Sequence, residues 1–119
     1  MATIVPTKDR ISLDGNRSWM IYWSTLTNGD DGTRITLPAH ADRSVQIVGT
    51  FGAGGTLVLE GSNDGTNYRT LTDFQDNALS FTSAGLESIS QVVYYIRPRV
   101  TAGDGTTDLD VFLLLTGAL

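Results

Sequence analysis

Any chemistry in this chain would have to be built from one histidine and thirteen carboxylates. His40 stands two residues before Asp42 and four before Ser44. A serine nucleophile needs a histidine base that is itself oriented by an acid. No glycine-framed elbow presents Ser44, and Pro38 marks the segment as a loop, so His40 reads as a solvated loop residue. The only glutamates are Glu60 and Glu87. A sugar-cleaving pair needs two acids facing one cleft, but Glu60 falls on a strand of a hairpin and Glu87 in a short helical turn. Calcium would take six to eight oxygens. The acidic loops Asp30-Asp31, Asn63-Asp64 and Asp104 with Asp108 and Asp110 lack the spacing of a calcium loop, and Asx turns account for them. The absence of cysteine removes thiolate catalysis, disulfides and sulfur-ligated zinc. Gly52-Ala53-Gly54-Gly55 lacks the lysine and hydroxyl residue of a phosphate loop and reads as a hairpin turn. The chain is expected to be non-enzymatic, with no cofactor and no metal.

The remaining functional material is aromatic and cationic. Trp19, Tyr22, Trp23, Tyr94 and Tyr95 could stack on sugar rings, but such residues more often build cores and protein interfaces. Core plus interface is the favoured reading. Arg97 and Arg99 share a face with Tyr95 and could meet acids on a neighbour; the alternative is a solvated outer face.

Strands must position these groups. The segment 17–27 (RSWMIYWSTLT) alternates with apolar residues on both faces: Trp19, Ile21 and Trp23 on one, Met20, Tyr22 and Leu26 on the other. Such a strand should be covered on both sides. Further strands are expected at 33–37, 44–51, 56–61, 68–72, 78–82, 91–100 and 108–116, with the run from 44 to 72 forming a meander. Leu86 and Ile89 within 83–90 suggest one helical turn. Pro98 cannot donate to a ladder, so 91–100 should be an edge strand or carry a bulge. In the last strand Leu109, Val111, Leu113 and Leu115 point inward, leaving Phe112 and Leu114 outward. Gly61-Ser62-Asn63-Asp64-Gly65-Thr66-Asn67-Tyr68 connects two strands. The expected fold is all-β: one antiparallel β-sandwich domain, jelly-roll-like, of about eight strands over residues 17–119, preceded by an extended arm or loose first strand at 1–16.

Composition agrees with that plan and narrows the partners. A length of 119 residues suits one domain. A net charge of −5, with lysine only at Lys8, argues against nucleic acid. The longest apolar run, Val111 to Leu115, is too short to span a bilayer. The N-terminal residues show no apolar signal core, which fits synthesis in a cytoplasm.

The stretch SVQIVGTFGAGGTLVLEGSNDGTNYRTLTD, followed by NALSFTSAGLESI and YYIRPRVTAGDGTTDLDVFLLL, resembles the small β-sandwich decoration, or cement, proteins of tailed bacteriophages. The resemblance covers about the last two-thirds of the chain. Gly61-Ser62-Asn63-Asp64-Gly65, the Asn77-Ala78-Leu79 step and Tyr95-Ile96-Arg97-Pro98-Arg99 carry it, while residues 1–43 match no motif. It implies a structural virion protein on the outer surface of a capsid, bridging major capsid protein subunits and commonly dimeric or trimeric. A weaker resemblance, through the same turn and the Tyr-Ile-Arg step, is to discoidin-like carbohydrate-binding jelly rolls; a phage tail or fibre component is the other alternative. On the capsid reading the expected partner surface is drawn from Trp19, Tyr22, Trp23, Tyr95, Arg97, Arg99, Phe112 and Leu114.

Overall fold

The computed structural model describes residues 2–10, 18–36 and 42–116. Every regular element among them is a β-strand. In chain order these are β1 (Thr3–Ile4), β2 (Thr7–Arg10), β3 (Ser18–Leu26), β4 (Asp31–Gly32), β5 (Ile35–Thr36), β6 (Asp42–Thr50), β7 (Thr56–Ser62), β8 (Arg69–Thr70), β9 (Ser80–Phe81), β10 (Gly85–Ser88), β11 (Tyr95–Ala102) and β12 (Asp108–Thr116). The alternation in β12 shows why: Leu109, Val111, Leu113 and Leu115 are all buried, while Asp108, Asp110, Phe112 and Leu114 take the other face.

Two sheets form. One has five strands in the order β10-β6-β12-β3-β2; the other runs β1-β4-β11-β7-β8, with β5 also on β11 and β9 also on β7. If β4 with β5, and β8 with β9, are each taken as one interrupted strand, and β1 and β2 are set aside, eight strands remain. They cross between the sheets at nearly every connection, which is the jelly-roll plan. The core lies between the sheets: Ile21, Trp23, Val45, Ile47, Val111 and Leu113 from one, Ile35, Leu57, Leu59, Ile96 and Val100 from the other. The segment expected as an arm or loose first strand touches both sheets. β1 pairs in parallel with β4, and β2 pairs antiparallel with β3.

Four expectations need correction. Residues 83–90 form no helical turn: β10 pairs antiparallel with β6, Leu86 is exposed and Ile89 is buried. Their spacing of three therefore serves two environments rather than one helical face. The Gly52–Gly55 turn makes no hairpin. It carries the chain from β6 in one sheet to β7 in the other, so 44–72 is not a meander. The hairpin across Gly61–Tyr68 is formed, with Glu60 opposite Thr70 and Gly61 opposite Arg69. Leu26 faces the core, not the side of Met20 and Tyr22. Trp23 opposes Val111 and Leu26 opposes Leu109, so Ser24 and Thr25 together face Asp110. That bulge turns the strand over. Thr25 takes a left-handed φ of 59°, and its N–H donates to Asp110 Oδ1 at 2.9 Å.

Pro98 is the fourth case. β11 is interior, flanked by β7 on one side and by β4 and β5 on the other. Its register shift comes later, between Val100 and Ala102. Val100 N–H donates to Asp30 O across the β4 side at 2.9 Å. Alternate residues point their N–H the same way, so Pro98 nitrogen faces the interruption between Gly32 and Ile35. The sheet loses no hydrogen bond there. Pro98, Gly32 and Trp23 meet at that gap, where Trp23 Nε1–H donates to Thr33 O at 3.0 Å.

Candidate interaction surfaces

The outer face of the five-stranded sheet is apolar at its centre. Register places Leu86, Gln46, Phe112, Tyr22 and Thr7 in one row across the five strands. The adjoining row holds Ser88, Ser44, Leu114 and Met20. Tyr22 and Phe112 stack with ring centroids 5.5 Å apart. Met20, Ser44, Gln46, Leu86, Phe112 and Leu114 line a shallow hollow of about 190 Å³. A second hollow of about 170 Å³ adjoins it through Ser44 and Leu114 and is rimmed by Asp42, Arg43 and Thr116. Leu86 is 62% exposed, and the other apolar members are half-buried.

The outer face of the seven-stranded sheet is built differently. Arg97 lies over the Tyr68 ring, 3.8 Å from its centroid, and Arg34 over the Tyr95 ring at 4.0 Å. Arg97 Nε donates to Glu60 Oε1 at 3.1 Å. Arg99 sits 3.3 Å from Asp31 and 3.7 Å from the second Glu60 oxygen. Arg34 also donates to Gly65 O, so the Gly61–Tyr68 connection folds against this face. Tyr94 meets Tyr95 edge-on at 4.7 Å. The cations of β11 are thus engaged by acids and rings of their own chain. Each exposed pair adds little to stability, but together they leave few free charges for a partner.

The acidic loops serve backbone geometry. In the Gly61–Tyr68 connection the Asp64 carboxylate accepts from the N–H groups of Asn67 and Thr66, both at 2.8 Å, from Asn67 Nδ2 and from Ser62 Oγ. Those donors hold its carboxyl far below the usual carboxylate range. Asp104 ties two loops at one end of the sandwich: it accepts from Ala53 N–H at 2.9 Å and from the hydroxyl and N–H of Thr106. The Ala53 contact leads in lowering its pKa to about 2. Asp30, buried between the sheets' edges, accepts from Ala2 N–H and from Thr27 N–H and Oγ1, which outweigh the opposing effect of burial and keep it low. Carboxyls depressed in the folded state stabilise it above their unfolded pKa and lose that contribution as pH falls toward the folded value. Stability should therefore be level above about pH 5 and decline between about pH 4 and 2. Asp104→Asn should flatten that decline in acid titrations followed by circular dichroism; an unchanged profile would contradict the loop-tying role.

No family model matches the sequence, and no curated protein matches it. The chain is similar to the SPBc2 prophage-derived protein YomS. The TM-score is 0.65 at 11% identity, over 89% of this chain and 100% of that one. Two more distant matches are peruvianin-I, a cysteine peptidase from Thevetia peruviana latex (TM-score 0.46, 16% identity, 85% of this chain and 51% of that one), and a carbohydrate-binding module of Cellvibrio mixtus lichenase 5A in complex with cellotriose (0.33, 11%, 96% and 87%). The YomS likeness is one of fold.

The residues singled out in the sequence divide between two opposite sides. Tyr22, Phe112 and Leu114 share the apolar face; Tyr95, Arg97 and Arg99 lie on the other. Trp23 leaves the set: it is fully buried, and its ring fills the core between the sheets. Trp19 is half-buried and packs against the core cluster. His40 lies outside the described residues. Arg34 and Tyr68, which complete the arginine–aromatic face, were not anticipated, because each sits at least 29 residues along the chain from its ring or cation partner. Leu86 was hidden by the helical reading of its segment.

Proposed function

We propose that this is a structural phage protein that docks on a capsid through the outer face of its five-stranded sheet and stabilises the shell by bridging major capsid protein subunits. The apolar centre formed by Tyr22, Phe112, Leu114, Met20 and Leu86 carries this reading. It runs from the middle of the sheet to Leu86 on the β10 edge with polar residues around it, an arrangement in which a few buried anchors supply most binding energy. The fold likeness to a prophage-derived protein, and the resemblance of residues 44–115 to capsid decoration proteins, point the same way. A dimer or trimer would multiply each contact by avidity on a repeating lattice.

The test is co-sedimentation with expanded capsids and with purified tails of the phage that encodes the chain. Binding to capsids and not to tails is expected, with a higher temperature of capsid disruption. Phe112→Ala should weaken that binding about thirtyfold, the effect of losing a hot spot worth about 2 kcal/mol. A protein that sediments with tails alone, or that is monomeric by light scattering and leaves capsids unaltered, would overturn the proposal.

A further inference from the structure

We infer that the outer face of the five-stranded sheet recognises a protruding protein segment carrying one large apolar side chain flanked by lysine or arginine. The inference rests on the reading of this sheet as the docking face and adds the chemistry of what it holds. β12 is the middle strand of five, so Phe112 and Leu114 occupy the centre of the face. The hollow beside them measures about 190 Å³. An apolar cavity of about 150 Å³ holds a benzene ring, so one phenylalanine or leucine side chain fits. The adjoining hollow continues over Leu114 to Asp42. A lysine or arginine can lay its aliphatic stem on Leu114 there and bring its charge to that carboxylate.

The sign of the charge follows from register. The outward positions of β12 beyond Phe112 are Asp110 and Asp108, and the outward position of β6 beyond Ser44 is Asp42. Acids thus flank the apolar rows on both sides along the strand direction. No lysine or arginine occupies a described outward position of β3, β6, β10 or β12. Arg43, which also lines the second hollow, is 5% exposed and on the inward side of β6, where it donates to Gln91 O at 2.8 Å. A second copy docked face to face would set carboxylate against carboxylate, which disfavours it. A cationic rim around an apolar knob satisfies both features. The available area suits a compact ligand: three nine-residue strands and two four-residue strands, about 4.8 Å apart, present roughly 570 Å², less than the roughly 800 Å² each partner gives a standard interface.

The probes are two short peptides, acetyl-Lys-Phe-Arg-amide and acetyl-Glu-Phe-Asp-amide, titrated into the full chain while its backbone amide resonances are followed. The cationic peptide should bind at least about tenfold more tightly, with shifts concentrated at Ser44, Gln46, Phe112 and Leu114. The difference should shrink as salt rises. The double substitution Asp42→Lys with Asp108→Lys, at two exposed positions, should abolish or invert the preference. Equal binding of the two peptides, shifts located elsewhere, or no shifts with either at millimolar concentration would overturn the inference. The capsid assay separates it from the broader reading. Capsid binding unchanged by the double substitution overturns this inference and leaves the capsid proposal standing. The expected peptide preference without capsid binding supports this inference and removes that proposal.

Discussion

Trp23→Ala is expected to lower the unfolding free energy by about 3–5 kcal/mol, the usual range for removing a fully buried tryptophan. The ring is completely inaccessible and lies where both sheets close on the gap between β4 and β5. Its Nε1–H also satisfies Thr33 O, which accepts no backbone N–H among the described residues. Domains of this size are stable by roughly 5–15 kcal/mol, so the variant should stand close to unfolding at room temperature. Urea denaturation read from Trp19 emission measures the effect, since Trp19 is then the sole indole. Trp23→Phe separates packing from hydrogen bonding. It keeps most of the ring volume but strands the Thr33 carbonyl, at about 1–3 kcal/mol. A loss below about 1 kcal/mol for the alanine variant would place it among ordinary surface substitutions and would contradict the position of Trp23 in the core.

Gly32→Ala should be the second large effect, through overcrowding rather than a cavity. A Cβ there would lie 2.5 Å from Pro98 Cγ, 2.6 Å from Pro98 Cδ and 2.8 Å from Trp23 Cδ1. Neither ring can retreat, because both are buried between the sheets. Overpacking of this kind typically costs about 1–3 kcal/mol. The cause is testable by a double-mutant cycle. Pro98→Ala removes both ring carbons that the new methyl would strike, so Gly32→Ala should cost about 1 kcal/mol less in the Pro98→Ala background than alone. Additive losses in chemical denaturation would show that the crowding lies elsewhere.

The strands were legible where inward and outward residues alternate without interruption. In β12 the pattern Leu109, Val111, Leu113, Leu115 identified the core side, and with it the outward position of Phe112 and Leu114. Sheet membership was not legible. In a sandwich both sheets offer the same apolar inner face, so β6 and β7 read as hairpin partners although the turn between them changes sheet. A period of two also fails at a bulge. Thr25 adds one residue, and Leu26 then reaches the core from a position counted as outer. At Leu86 and Ile89 a spacing of three imitated a helix, because over so short a run one exposed and one buried residue resemble a helical pair. The arginine–aromatic face depended on contacts that no local window contains. Glu60 and Arg97 are separated by 37 residues, and Arg34 and Gly65 by 31. The sequence could place Tyr95, Arg97 and Arg99 together, but not the groups that occupy them. Trp23 and Tyr22 differ in fate although they are adjacent. Only the packing of the second sheet decides which of two neighbouring aromatics is covered.

If the chain coats a capsid as proposed, the contrast between its two outer faces bears on how the coat grows. One side offers apolar surface and acids without cationic partners among its described outward positions; the other has its arginines already matched to acids and rings of the same chain. A particle that adheres through only one of two opposite sides spreads as a monolayer. A further copy arriving on top meets the matched side and gains little there. On the proposed capsid reading, coating thickness would be set by the molecule itself and would need no separate signal to stop.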